Sequence, residues 1–229
     1  MTESVTLRPV AVIRTAFDTK FGIPRQSGLV EELTAEIVFE PEFRNPDALR
    51  GIEGYSHLWL LWYFSESDRS TWSPTVRPPR LGGNVRMGVF ATRSPFRPNP
   101  VGLSCVKLEG VTLDTPDGPV LRVSGADLMD GTPIFDIKPY VPYADAHPDA
   151  LGGFASARPD RSLTVDFPAA LLERIPEEHR AALTGVLECD PRPSYQDDPE
   201  RVYGMRYAGW DVRFRVRGDI LTVKEVTKP

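Results

Sequence analysis

The chain has 229 residues, 41% hydrophobic and 26% charged, with a formal net charge of −5. That balance is the one of a folded globular protein, with room for one ordinary domain and a smaller second one, and it excludes disordered and fibrous classes. No apolar run approaches the roughly 18 residues of a spanning helix. The stretch from Met1 to Ser4 lacks the basic and apolar regions of a signal peptide, so cytoplasmic residence and no membrane partner are expected.

The first two thirds read as strands. Val5 to Ile13, Ala35 to Phe39, His57 to Phe64, Val85 to Ala91, Leu103 to Leu113, Val120 to Gly125 and Ile134 to Val141 are short apolar or alternating runs rich in β-branched and aromatic residues. Turn chemistry separates them at Gly82-Gly83, Pro98-Asn99-Pro100, Asp117-Gly118 and Asp130-Gly131. Asn45-Pro46 reads as the cap and first position of a short helix through Leu49, stopped by Gly51. Many short strands at close spacing predict a barrel or a sandwich.

The pattern changes near Leu151-Gly152-Gly153, with a second unit expected from residue 160. Ser162 to Phe167 alternates as a strand, while Pro168 to Arg174 and Glu177 to Glu188 have helical spacing. Trp210, Val212, Phe214 and Val216 form one face of a strand whose other face carries Asp211, Arg213, Arg215 and Arg217; Gly218-Asp219 turns it into Ile220 to Val226. The expected fold is mainly β, a barrel or sandwich over residues 1–153 followed by a small α+β domain over 160–229.

Charge is unevenly placed. From Arg69 to Leu108 there is no Asp or Glu, where the chain's average would put roughly five or six. The stretch carries Arg69, Arg77, Arg80, Arg86, Arg93, Arg97 and Lys107. Such a segment is either a solvated loop face or a surface for a polyanion.

Absent motifs narrow the chemistry. There is no G-x-G-x-x-G after a strand, no phosphate-binding P-loop and no G-x-S-x-G elbow. The 2 cysteines, Cys105 and Cys189, have no C-x-x-C spacing, and His57, His147 and His179 stand apart, so no metal is expected.

Polar clusters interrupt the apolar β segments. Pro24-Arg25-Gln26-Ser27-Gly28 can present donors to a carboxylate or a base edge, or form a turn capped by its own side chains. Arg86, read inside a strand between Val85 and Met87, is suited to a carboxylate if it points into a pocket, and is ordinary if it points out. Asp127 and Asp130 can hold an amine or ribose hydroxyls or accept a proton, although Asp130-Gly131 is also an ordinary turn.

Together the clusters form a specific pattern. Pro24-Arg25-Gln26, Ser56-His57-Leu58-Trp59 and the run from Thr75 to Asn84 are similar to the TrmO (YaeB-like) family of tRNA N6-threonylcarbamoyladenosine methyltransferases. So are Arg86 to Ser94, Phe96 to Pro100, Asp130 to Pro133, Asp136 to Tyr140 and Asp190-Pro191-Arg192-Pro193. The resemblance implies an S-adenosylmethionine-dependent enzyme with a β-barrel cofactor domain. It implies a homodimer with the cofactor near the subunit interface and a tRNA anticodon stem-loop as substrate. It puts the cofactor against Pro24, Arg25, Gln26, Ser65, Glu66, Arg86, Pro95, Asp127, Leu128, Met129 and Asp130. Ser65-Glu66 stands where the bacterial pattern commonly has His-Gln. Asp130 and Asp136 are the candidates to take the N6 proton, and Arg77, Arg80, Arg93, Arg97 and Arg192 to meet RNA. Two alternatives stay open: the same fold methylating another substrate, and a non-catalytic RNA-binding module.

Overall fold

The computed structural model describes residues 4–67, 72–156, 163–193, 196 and 198–228. Arg69 lies outside them. The strands are β1 (Ala11–Arg14), β2 (Thr34–Phe39), β3 (His57–Tyr63), β4 (Thr75–Val76), β5 (Met87–Gly88), β6 (Val101–Thr112), β7 (Val120–Ser124) and β8 (Pro133–Pro139). Six of them close a barrel in the order β1-β2-β7-β6-β3-β8. Closure follows from alternation: on β3, Leu58, Leu60 and Trp62 are buried inside while Trp59, Leu61 and Tyr63 are half-buried on the outer wall. Ile13, Ile37, Val106, Leu121, Val123 and Ile134 complete the filling. The 12-residue β6 shifts register against β7 between Leu108 and Gly110, a bulge that lets one long strand bend around the wall.

A short helix α1 (Pro142–Asp145) ends the barrel region. Beyond it lie β9 (Thr164–Asp166), α2 (Ala169–Leu172), α3 (Glu177–Glu188), β10 (Tyr203–Tyr207), β11 (Trp210–Arg217) and β12 (Ile220–Thr227). The last strands form a sheet ordered β10-β11-β12-β9, with β9 parallel to β12. Ala182, Leu183, Val186 and Leu187 of α3 pack in one cluster with Val212, Phe214 and Val216. That core is completed from outside the unit: Phe17, Val30 and Leu33, from the segment between β1 and β2, are buried in it. Phe17 meets Tyr207 edge-on at 5.3 Å, and the Ala208 N–H donates to the Ala16 carbonyl at 2.7 Å. Gly22 lies so close to Met205 that a Cβ there would come within 2.6 Å of the methionine methyl.

Several expected elements differ. Asn45 does cap the short turn Pro46–Leu49, which is a 3-10 helix. The strand expected from Val5 begins only at Ala11. The strand expected over Val85 to Ala91 reduces to Met87–Gly88 against Thr75–Val76, then a 3-10 turn over Val89–Ala91. Pro74, Pro78 and Pro79 on the facing segment cannot donate to a ladder, which keeps the pairing short. Strand β10 is an addition to the sequence reading; its alternation of buried Tyr203, Met205 and Tyr207 was the available signal. No helix among the described residues is long and apolar enough to cross a membrane.

Candidate functional site

The site grows out of the end of β7. The chain turns at Gly125, whose φ of +74° suits glycine. Its carbonyl accepts the Gly28 N–H at 2.9 Å, and its own N–H donates to the Leu33 carbonyl at 2.8 Å. A Cβ on Gly125 would stand 3.3 Å from the Gly28 backbone, so the close approach of the two loops also favours glycine. This seam lays Pro24-Arg25-Gln26-Ser27 beside Asp127.

Asp127 is the centre of the arrangement. Its carboxylate accepts the Ser104 hydroxyl at 2.6 Å, and the Ser104 oxygen accepts the Trp62 indole N–H at 3.0 Å. The backbone N–H of Ser27 and its own N–H also donate to it. Burial pushes its pKa up; the Ser104 hydrogen bond, these backbone donors and the charge of Arg93 pull it down without cancelling the rise. The Arg93 guanidinium donates to the Gln26 side-chain carbonyl, and the Gln26 amide donates to the Arg25 carbonyl. Ser27 is stitched to the wall from the other side, its hydroxyl accepting the Cys105 N–H at 3.2 Å. Burial, and then the charge of Asp145, raises the Cys105 thiol pKa, so this cysteine stays a thiol.

Around this centre, Lys20 donates to the Glu66 carbonyl and, at 3.3 Å, to the Ser67 hydroxyl, tying the 3-10 turn Ser65–Ser67 to the segment that leads into Pro24. Ser65 is half-buried and the Glu66 side chain faces solvent, so the backbone is the part of this turn held in place. Leu128 is buried, and its carbonyl accepts the Thr15 hydroxyl at 3.2 Å. Met129 is half-buried and its carbonyl accepts the Thr132 hydroxyl at 2.7 Å. Asp130 is exposed at the rim; one carboxylate oxygen accepts the Thr15 N–H at 2.9 Å. Pro95 shapes a bend in which its carbonyl accepts the Arg97 N–H at 2.9 Å.

Other predicted residues fall elsewhere. Arg86 sits just ahead of β5, exposed and in no ion pair among the described residues, rather than within a strand. Asp136 pairs across the sheet with outward-facing Leu61 and makes an ion pair with Lys138 at 2.8 Å. It therefore lies on the outer wall and makes no contact with the Asp127 cluster among the described bonds. Arg77 and Arg80 are exposed on the acid-free segment, and the Arg97 guanidinium donates to the Thr92 carbonyl at 3.0 Å. Arg192 differs from the surface arginines: it forks onto Asp190 through two contacts of 2.8 Å, with its side chain only 12% exposed. Among the described residues no group of three or more His, Cys, Asp and Glu could hold a metal ion.

Lys20, Trp62 and Ser104 were missed by the sequence reading, and Ser27 was read only as a member of the Pro24 to Gly28 cluster. Ser104 had a signal: with Gly102 and Val106, it falls on the alternate positions that are buried in β6.

Comparison with known proteins decides the family. Residues 12–146 match the model of the tRNA-methyltransferase O N-terminal domain, and residues 160–229 that of the TrmO C-terminal domain. The chain belongs to the TrmO family. It is 43% identical over 220 residues to the tRNA (adenine(37)-N6)-methyltransferase of Escherichia coli K12, covering 93% of this chain and 92% of that one. A Pseudomonas aeruginosa protein described as a candidate S-adenosylmethionine-dependent methyltransferase, RcsF, is 42% identical over 235 residues, covering 99% of this chain and 98% of that one. A crystal structure of TrmO from Pseudomonas aeruginosa superposes with a TM-score of 0.81 at 36% identity, covering 100% of this chain and 99% of that one. The closed barrel joined to a small sheet is thus the architecture of TrmO.

Proposed function

We propose that this chain transfers a methyl group from S-adenosylmethionine to N6 of adenosine 37 in tRNA, on a base that already carries a threonylcarbamoyl group. The observation that carries this reading is the convergence of Ser104, Ser27 and Arg93 on Asp127, with Gln26 held by Arg93, in a chain of the TrmO family.

The cluster fits the donor chemically. Burial disfavours the charged form of Asp127 and the charge of Arg93 offsets this only in part, so a cationic ligand such as a sulfonium or an α-ammonium group would favour its ionisation and be held by it. Arg25 and Arg86, in no ion pair among the described residues, are cations available for the donor's carboxylate, and Gln26 can read a polar edge. Backbone groups of Glu66, Leu128 and Met129, with Pro24 and Pro95, complete the proposed wall. When bound, S-adenosylmethionine supplies an activated methyl carbon. The chain's part is to hold the acceptor nitrogen in line with that carbon and to take its proton. Asp130 fits the second task better than Asp136, because it stands on the same loop as Asp127 with its second oxygen making no hydrogen bond among the described residues. Arg77 and Arg80, with Arg93 and Arg97, would meet phosphates of the anticodon stem-loop. Beside them Trp72 and Phe90 are 51% and 74% exposed with ring centroids 6.4 Å apart, a surface on which loop bases can stack. A tRNA substrate would put the work in the cytoplasm, and the homodimer implied by the resemblance would form there.

The test is methyl transfer from S-adenosylmethionine to purified tRNA with and without threonylcarbamoylation, read by mass spectrometry of the nucleosides. N6-methylation confined to the modified tRNA is expected. Binding of tRNA without donor binding or methylation would replace the enzyme with an RNA-binding module, and methylation at another base would move the substrate.

A further inference from the structure

Ser104 is 1% exposed, and its strand partner Leu60 helps fill the barrel. A hydroxyl at such a place costs stability unless both its donor and acceptor functions are used. Here both are used, in a fixed direction. The Trp62 indole nitrogen can only donate, so its bond at 3.0 Å occupies a lone pair of the Ser104 oxygen. The single hydroxyl proton is then left for Asp127, at 2.6 Å. Nor can the indole turn away. Its ring lies flat against Gly102, where a Cβ would fall 2.2 Å from a ring carbon, and the Phe64 ring packs on it with centroids 4.2 Å apart.

The far end of the chain reaches the loop of the proposed donor site. Asp127 accepts the Ser27 N–H, and the Ser27 hydroxyl accepts the N–H of Cys105, the residue after Ser104. Two neighbouring residues of β6 thus hold the loop, one through the barrel interior and one from the outer wall.

We propose that Ser104 is a positioning residue: oriented by Trp62, its hydroxyl aims the Asp127 carboxylate and, through it, the Pro24-Arg25-Gln26-Ser27 loop that takes the donor. The proposal rests on the donor site inferred above. Asp127 faces Arg93 from the acid-free segment, Ser104 from β6 and the Ser27 N–H from its own loop neighbour; the Cys105 thiol lies on the other side of β6 and Arg25 is exposed.

A serine that merely satisfied Trp62 would alter stability but not the titration of Asp127. The experiment therefore follows the Asp127 carboxyl carbon by NMR against pH, and S-adenosylmethionine binding by calorimetry against pH. Losing the Ser104 hydroxyl removes a bond that favours the charged carboxylate, so in Ser104→Ala the Asp127 midpoint rises and the acid limb of donor binding moves to higher pH. Donor Kd is expected to rise about tenfold. Ser104→Thr, which keeps the hydroxyl, restores the wild-type profile, and Trp62→Phe, which frees that hydroxyl to rotate, falls between. If Ser104→Ala does not fold, Trp62→Phe and Ser104→Thr carry the test by the same titration. Coincidence of the wild-type, Ser104→Ala and Trp62→Phe titrations overturns the proposal. A wild-type protein that binds no donor while Ser104→Ala still moves the Asp127 midpoint would sink the donor site and leave the aiming of the carboxylate standing.

Discussion

At Asp127 the protein holds a carboxyl group whose ionisation burial opposes. Burial raises the pKa of this group in the folded state. Its stabilising contribution is accordingly full below the unfolded value and is lost as pH rises through the folded one. Asp127→Asn carries no charge at any pH, so it should gain in melting temperature on the wild type as pH rises through the Asp127 pKa, while losing affinity for S-adenosylmethionine. The two melting curves should converge in acid, below both pKa values. A difference between the two that does not grow as pH rises would show that the hydrogen bonds outweigh the desolvation. Gly102 gives a purely steric prediction. Adding a methyl group where the Trp62 ring lies at 2.2 Å forces the indole or the strand to move. Gly102→Ala should cost roughly 1–3 kcal/mol of stability, read by urea denaturation followed through tryptophan fluorescence. Of these residues only Asp127 was legible in the sequence, because a carboxylate in a turn advertises itself. Ser104 and Gly102 gain their meaning from what faces them across the barrel, and strand pairing is not written in local pattern.

The acid-free segment is the element whose composition was plain and whose conformation was not. Its lack of Asp and Glu and its five arginines between Arg77 and Arg97 could be counted in the sequence. The strand read through Arg86 could not survive, because Pro74, Pro78 and Pro79 deny it a ladder partner and only Met87–Gly88 pairs. The arginines therefore ride on turns braced by backbone bonds such as Val89 N–H to Pro74 carbonyl at 3.0 Å. If Arg77 contacts an RNA phosphate, Arg77→Ala should weaken tRNA binding about equally for different tRNAs. It should also reduce the slope of log affinity against log salt by about one. Filter binding across a salt series measures both, and an unchanged slope would remove Arg77 from the interface. In the barrel itself, alternation on β3 and the runs forming β2, β7 and β8 were legible because one face of each strand is sealed.

Across the whole molecule, the two units are less separable than the composition change near Leu151 suggests. The second core recruits Phe17, Val30 and Leu33 from a segment that precedes β2. That recruitment was invisible to a reading along the chain, since those residues look like ordinary apolar loop positions until the sheet of β10 to β12 is set against them. Phe17→Ala should cost about 3–5 kcal/mol, with the loss appearing first as faster amide exchange in β10 and β11 rather than in the barrel. Ending the chain at Ser156 should leave an apolar patch that binds a hydrophobic dye, where the full chain does not.

That same segment, from Thr15 to Leu33, carries Gln26 and Ser27 on one side and Phe17 and Val30 on the other. Occupancy of the proposed donor site and the integrity of the small sheet would consequently be two readings of one strip of polypeptide. If the donor binds the Pro24 to Ser27 loop as proposed, saturating it should slow deuterium uptake at Met205 and Tyr207, making the small sheet a thermometer of that occupancy.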